Sequence, residues 1–159
     1  MRSRFCPRRA AESGPGFERR TATTSVISVI DVAAGLVFRA GRLLITQRPP
    51  GTHLAGLWEF PGGKLQAGES WEGALVRELR EEIDFEVIPG RLYEEVVHAY
   101  PEKTVRLRFY RCRAGAGEPR AVECAALAWI SKEELSAYAF PAADARLLER
   151  LTEDDAVWA

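Results

Sequence analysis

Gly62-Gly63-Lys64-Leu65-Gln66-Ala67-Gly68-Glu69-Ser70-Trp71-Glu72-Gly73-Ala74-Leu75-Val76-Arg77-Glu78-Leu79-Arg80-Glu81-Glu82-Ile83-Asp84-Phe85 is a glycine-rich turn that runs into a helical pattern. Leu75, Leu79 and Ile83 recur at helical spacing and form the apolar stripe of a helix packed on a core. Ser70 is placed to cap that helix, with Glu72 in the first turn where the dipole favours negative charge. Glu78, Glu81 and Glu82 stand at i, i+3 and i+4, so they share one face about 100° wide. Like charges at that spacing repel by roughly a few tenths of a kcal/mol per pair. The face calls for a cation. Arg77 offers one, either as a clamp on the carboxylates or as an ordinary i,i+4 ion pair with Glu81.

Upstream, Val26 to Phe38 is β-branched and apolar, and Ala40-Gly41 offers a turn into a second strand, Arg42 to Arg48. Pro49-Pro50-Gly51 breaks that strand and opens a loop to Leu57, and Trp58-Glu59-Phe60 is a short extended piece. Downstream, Phe85–His98 and Thr104–Cys112 read as strands. Val105, Leu107 and Phe109 alternate with Arg106, Arg108 and Tyr110, which buries one sheet face. Ala114–Ala121 is a Gly- and Pro-rich loop, and Leu127–Ile130 is a short buried strand. Ser131-Lys132-Glu133-Glu134 matches a capping box and predicts a brief helix. A last amphipathic helix runs from Ala142 to about Leu151, with Leu147, Leu148 and Leu151 turned inward. The fold class is α/β, a mixed sheet with helices on its faces, in one domain over residues 25–155.

Residues 1–24 read as a disordered basic extension: Arg2, Arg4, Arg8, Arg9, Arg19 and Arg20 face only Glu12 and Glu18. The chain as a whole carries a net charge of −1, which argues against bulk nucleic-acid or membrane binding. No apolar run approaches membrane-spanning length. Cys6, Cys112 and Cys124 are odd in number and widely spaced, which favours free thiols in a reducing compartment, the cytoplasm by default.

Three helix carboxylates plus Glu69 make an oxygen-only donor set with no competing His or Cys. Hard divalent ions, Mg²⁺ or Mn²⁺ in its place, prefer such donors and bridge to phosphate oxygens. They also lower the pKa of a bound water, so the pattern points to metal-assisted attack of water on a phosphoanhydride. The absence of G-x-x-x-x-G-K-[ST] argues against a P-loop kinase.

Gly63, five residues, Glu69, seven residues, Arg77-Glu78-Leu79, one residue, Glu81-Glu82 resembles the Nudix box of the Nudix hydrolases. The resemblance runs over about Val26 to Leu151 and is greatest to the MutT branch. Ile45-Thr46-Gln47-Arg48, His53, Leu57 to Lys64, Gly117-Glu118-Pro119 with Glu123, and Phe140 to Asp144 carry it. It implies the Nudix α/β/α sandwich, Mg²⁺, and attack at the β-phosphorus of a nucleoside triphosphate such as 8-oxo-dGTP. The products are then monophosphate and pyrophosphate.

By position, the resemblance implies a primary metal site from Glu82 and the Gly62 carbonyl, completed by Glu78 and Glu81. Glu69 orients Arg77, and the general base is either Glu78 or Glu123. Arg48, His53 and Lys64 match substrate-contacting positions, the first and last suited to phosphate. Trp58, Glu59, Phe60 and Pro61 form the segment beside the base, with Trp58 and Phe60 able to stack on it.

The pattern departs at two places. Asp84 takes the glycine position that closes the box helix, where a left-handed φ is expected. Asp144 stands where bacterial 8-oxo-dGTP enzymes carry Asn, and an ionised Asp only accepts hydrogen bonds. Bases presenting donors then fit, cytosine as well as 8-oxoguanine, so a (d)CTP pyrophosphohydrolase is the alternative. A dinucleotide-polyphosphate or ADP-ribose hydrolase is less favoured, since only Tyr100-Pro101 points to it. A non-catalytic Nudix-fold module that recognises an oxidised base is disfavoured by the complete set of box carboxylates. The partner expected is a small-molecule nucleotide, and the chain a monomer or homodimer.

Overall fold

Strand β1 (Ser28–Arg39) is the hub of the sheet in the computed structural model, which describes residues 27–159. Along one side it pairs parallel with β6 (Lys103–Ala114) over its length. Along the other its middle pairs antiparallel with β4 (Gly62–Lys64), and its end pairs with β2 (Arg42–Gln47). β3 (Trp58–Glu59) and β7 (Ala126–Ile130) both pair antiparallel with β2, and β5 (Val87–Ala99) pairs antiparallel with β6. The sheet is therefore mixed, as the sequence predicts.

Alternation along β1 and β2 divides the core in two. Ala33, Val37 and Leu44 face helix α1 (Trp71–Ile83), whose Ala74, Leu75, Leu79 and Ile83 are wholly buried against them. Ala34, Leu36, Phe38, Leu43 and Ile45 face the opposite layer, where helix α2 (Ala145–Glu153) contributes Leu147 and Leu151. Helix, sheet and helix form the expected sandwich.

The ends of α1 follow their chemistry. The Ser70 hydroxyl accepts from the Gly73 N–H at 3.0 Å. Asp84 adopts the left-handed conformation with φ 48°, and its N–H donates to the Arg80 carbonyl. Its carboxylate pairs with the Arg120 guanidinium, which offsets the unfavourable charge at that helix end.

Three expectations are corrected. The helix predicted after Ser131 is only a single 3-10 turn, Leu135–Ala137. Half of the capping box forms, with the Ser131 N–H donating to Glu134 at 2.7 Å. The chain then turns extended at Tyr138, so that the Ala139 carbonyl can accept from the Trp58 N–H. The last helix starts as a 3-10 turn at Ala142–Asp144, and Leu148 is only half-buried. A further short helix, α3 (Asp155–Trp158), starts at the expected domain limit of 155, runs past it, and buries Val157 and Trp158 in the core. The Trp158 indole N–H donates to the Leu151 carbonyl at 2.8 Å and sets its ring edge-on to Phe38. The predicted 1–24 extension lies outside the described residues, and among those residues no helix is long and apolar enough to cross a membrane.

Leu79 has no exposed surface and sits mid-stripe on α1. Leu79→Ala is expected to cost about 2–5 kcal/mol through the cavity it leaves, measured by urea unfolding. A cost well under 1 kcal/mol would mean α1 is not packed as described.

Candidate active site

The turn between β3 and α1 brings backbone against carboxylate. A Cβ built on Gly63 would fall 2.2 Å from Glu78 Cδ, and one on Gly62 would fall 2.1 Å from the Ala33 carbonyl oxygen. Only glycines allow β4 to lie between β1 and α1 here. The Gly62 N–H then donates to Glu82 Oε2 at 3.3 Å.

Arg77 gathers the acidic face. Its guanidinium donates to Glu69 at 2.6 and 3.0 Å, to Glu78 at 2.8 Å, to Glu81 at 3.1 Å and to the Lys64 carbonyl at 3.0 Å. Of the two readings of Arg77, the clamp describes the geometry, and the i,i+4 pair is one strand of it. These hydrogen bonds, and one from the Gln66 N–H, hold the Glu69 carboxyl down at about 2. The same partners raise Arg77 above its ordinary value.

Glu82 has the opposite character. Burial first, then the charges of Glu59 and Glu78, push it up to about 7. The wholly buried Thr46 hydroxyl faces this carboxyl yet makes no hydrogen bond of ordinary geometry among the described residues. A half-desolvated carboxyl, an orphaned hydroxyl and oxygen-only neighbours suit a hard divalent cation. Among the described residues no three Asp, Glu, His or Cys side chains converge as a finished cage. Arg77 holds Glu78 and Glu81, while Glu82 leans on Gly62.

Beside this acidic end lies a cleft of about 340 Å³. Val32, Ala34, Val105, Leu107 and Phe109 lay its apolar floor, from the buried faces of β1 and β6. Arg48, His53, Gly62, Gly63 and Lys64 border one part, and Glu59, Phe60 and Asp144 another. A larger depression of about 470 Å³, lined by Leu135, Tyr138 and Leu148, includes none of the residues of the acidic helix face.

The predicted site residues divide accordingly. Phe60 lines the cleft and stacks on Phe140, with ring centroids 5.2 Å apart. Trp58 does not line it; its ring meets Tyr138 edge-on at 5.0 Å and packs against the core. Pro61 is buried, and its carbonyl accepts from the Gly35 N–H at 2.8 Å. Arg48 is largely committed, donating to Glu59 and to the His53 carbonyl, each at 2.6 Å. Only its Nη2 is left without a partner among the described residues. Asp144 is buried, and burial together with the charge of Glu59 pushes it up to about 6. Burial likewise raises Glu59 against the pull of Arg48.

Glu123 is exposed, on a loop fixed by its own N–H and that of Val122 to the Glu82 carbonyl. Two bordering residues were not read as site groups. Thr46, which faces Glu82, lies in the segment Ile45 to Arg48 that carries the resemblance, but its strand position alone gives it no role. Tyr100 lines the cleft from the β5–β6 hairpin, its ring against His98 at 4.5 Å, and spacing along the chain does not say where a hairpin tip folds.

Residues 33–150 match the NUDIX domain. The chain belongs to the Nudix family. Among Nudix relatives, the 8-oxo-dGTP diphosphatase of Haemophilus influenzae is 40% identical over 127 residues, covering 79% of this chain and 93% of that protein. The CTP pyrophosphohydrolase of Escherichia coli K12 is 38% identical over 123 residues, covering 77% and 91%. The solution structure of the E. coli ORF135 protein superposes with a TM-score of 0.69 at 38% identity, covering 77% of this chain and 88% of that one. Nudix hydrolases generally use divalent metal ions.

Because the folded chain holds the Glu82 proton more tightly than the unfolded one, ionising it costs stability as pH rises from 4.5 through about 7. In a chelating buffer, Glu82→Gln is therefore expected to gain in Tm relative to wild type across that interval. A difference in Tm that does not vary with pH would remove the perturbed carboxyl.

Proposed function

We propose that the chain is a Mg²⁺-dependent nucleoside triphosphate pyrophosphohydrolase of MutT type, acting on 8-oxo-dGTP in the cytoplasm to cleanse the nucleotide pool. The observation that carries the reading is the junction of an acidic helix face with an apolar cleft ending in Asp144 and Glu59. Such a shape takes a base at one end and a polyphosphate at the other.

Glu82, Glu81 and the Gly62 carbonyl are the groups assigned to hold the ion, with Glu78 beside them. When bound, the ion supplies charge neutralisation of the triphosphate and a more acidic water. Lys64, whose ammonium is exposed beside the glycine turn, holds phosphate as a point charge. Arg77 keeps Glu78 and Glu81 on one face and Glu69 keeps Arg77 in place.

The general base follows from what each carboxylate is doing. Glu78 is tied to Arg77, whereas the Glu123 side chain makes no hydrogen bond or ion pair among the described residues. We assign Glu123 as the base that takes the proton of the attacking water. Water adds to the β-phosphorus, the bridge to the α-phosphorus breaks, and monophosphate and pyrophosphate leave.

Base recognition rests on two carboxyls of raised pKa. Asp144, pushed up to about 6, is partly protonated near neutrality, and the acid form donates to a purine O6 while the ionised form accepts from N–H groups. Phe60, backed by the stacked Phe140, gives the pocket an aromatic wall. The same acceptors suit the amino group of cytosine, which keeps a (d)CTP pyrophosphohydrolase as the second reading, supported by the E. coli relative.

A panel of nucleoside triphosphates with Mg²⁺ is expected to show the highest kcat/KM for 8-oxo-dGTP, with monophosphate and pyrophosphate as products. Turnover of ADP-ribose or a dinucleotide polyphosphate alone would overturn the reading. Asp144→Asn is expected to change the preference between 8-oxo-dGTP and CTP by about tenfold or more, since a mismatched buried donor or acceptor is strongly penalised. An unchanged ranking would take Asp144 out of recognition.

A further inference from the structure

Arg39 closes β1 and reaches into the loop that carries Glu123. Its Nη1 donates to Glu118 Oε1 at 2.7 Å, and its Nη2 to the carbonyls of Gly117 at 2.7 Å and Gly115 at 3.0 Å. The guanidinium carbon lies 5.2 Å from the centre of the Phe85 ring and 5.0 Å from that of Trp129. Those rings meet edge-on, 6.4 Å apart. The Arg39 side chain is 30% exposed although Glu118 is largely in solvent, so the backbone carbonyls and the two rings, rather than the ion pair, set its place. A planar cation held between two rings and forked onto backbone carbonyls loses little further freedom on bonding, which a lysine cannot reproduce.

The far half of the same loop is tied to α1. The Arg120 N–H donates to the Ile83 carbonyl at 2.8 Å, and those of Val122 and Glu123 donate to the Glu82 carbonyl at 3.1 and 3.0 Å. These carbonyls are the unsatisfied acceptors of the helix end. Between Gly115 and Ala125 the chain has no regular structure, so its order depends on such tethers. On the other side the Gly115 N–H donates to the Glu86 carbonyl at 2.9 Å, and Arg39 supplies the three side-chain bonds to residues 115, 117 and 118.

We propose that Arg39 is a positioning residue for Glu123: by holding the first half of the 115–125 loop, it fixes the loop backbone from which Glu123 projects, where that backbone meets the Glu82 carbonyl. The proposal rests on the reading of Glu123 as the base. Arg39→Met keeps an apolar contact with the two rings and removes all three hydrogen bonds. It is expected to lower kcat by about tenfold or more, as small misplacements of a reacting group do, and to leave KM for the triphosphate within about twofold. Amide hydrogen exchange at Val122 and Glu123 should accelerate, with Arg39→Lys between the two and serving alone should Arg39→Met fail to fold. Added to Glu123→Gln, the Arg39 substitution should cause no further loss, because both act on one step.

Unchanged exchange at Val122 and Glu123 would overturn the proposal, as would losses that multiply in the double variant. Wild-type kcat in Glu123→Gln would remove the base assignment and this proposal with it. Absence of triphosphate turnover by the wild-type protein would instead strike the hydrolase reading, while the exchange measurement still reads whether Arg39 holds the loop.

Discussion

The Glu78 carboxylate occupies the space where a side chain at position 63 would begin. That single steric constraint couples the elements of the acidic end. β4 lies close enough to β1 for register pairing of Val32–Ala34 with Lys64–Gly62, and α1 lies close enough to β4 for its carboxylates to reach the backbone. A methyl group at either glycine would drive the layers apart. Close approach also concentrates negative charge, and the protein answers it with one guanidinium rather than several scattered cations. Arg77 touches three carboxylates and a carbonyl, which keeps the acidic face intact and leaves Glu82, outside that grip, as the helix carboxyl with a raised pKa.

The acidic helix and its glycines were legible because their spacing is local. Leu75, Leu79 and Ile83, the Ser70 cap and the left-handed Asp84 all follow from periods and backbone preferences within a single element. The mixed sheet was legible as strands but not as pairings, since nothing in the alternation of Val105, Leu107 and Phe109 says that β6 runs parallel to β1. Trp58 and Phe60 show the limit well. Two aromatics two residues apart read alike, yet the chain beyond Tyr138 returns to cover Trp58 and leaves Phe60 facing the cleft. The final turn of helix was missed for a similar reason: Trp158 becomes core only through contact with Phe38, at the far end of the chain.

The carboxyls of the site differ in their partners. Glu69 is held ionised by Arg77, while Glu59 and Asp144 are raised by burial, with Arg48 pulling only Glu59 back. Glu69, Glu78 and Glu81 are thus gathered on one cation, whereas Glu82, Glu59 and Asp144 hold their protons more tightly than free carboxyls do. A nucleotide is two-ended, with a phosphate chain that needs countercharge and a base that needs matched donors and acceptors.

The parallel pairing of β1 with β6 has a consequence for how the molecule comes together. Asp31 and Arg106, partners across that pair, are 75 residues apart in the chain. The hairpin of β5 and β6 and the helix α1 are closed by short loops, but the cleft floor is shared between β1 and β6 and does not exist until that long loop shuts. Helix and hairpin can reach their native form early in refolding. The cleft that would take a nucleotide has to wait for that long-range strand contact.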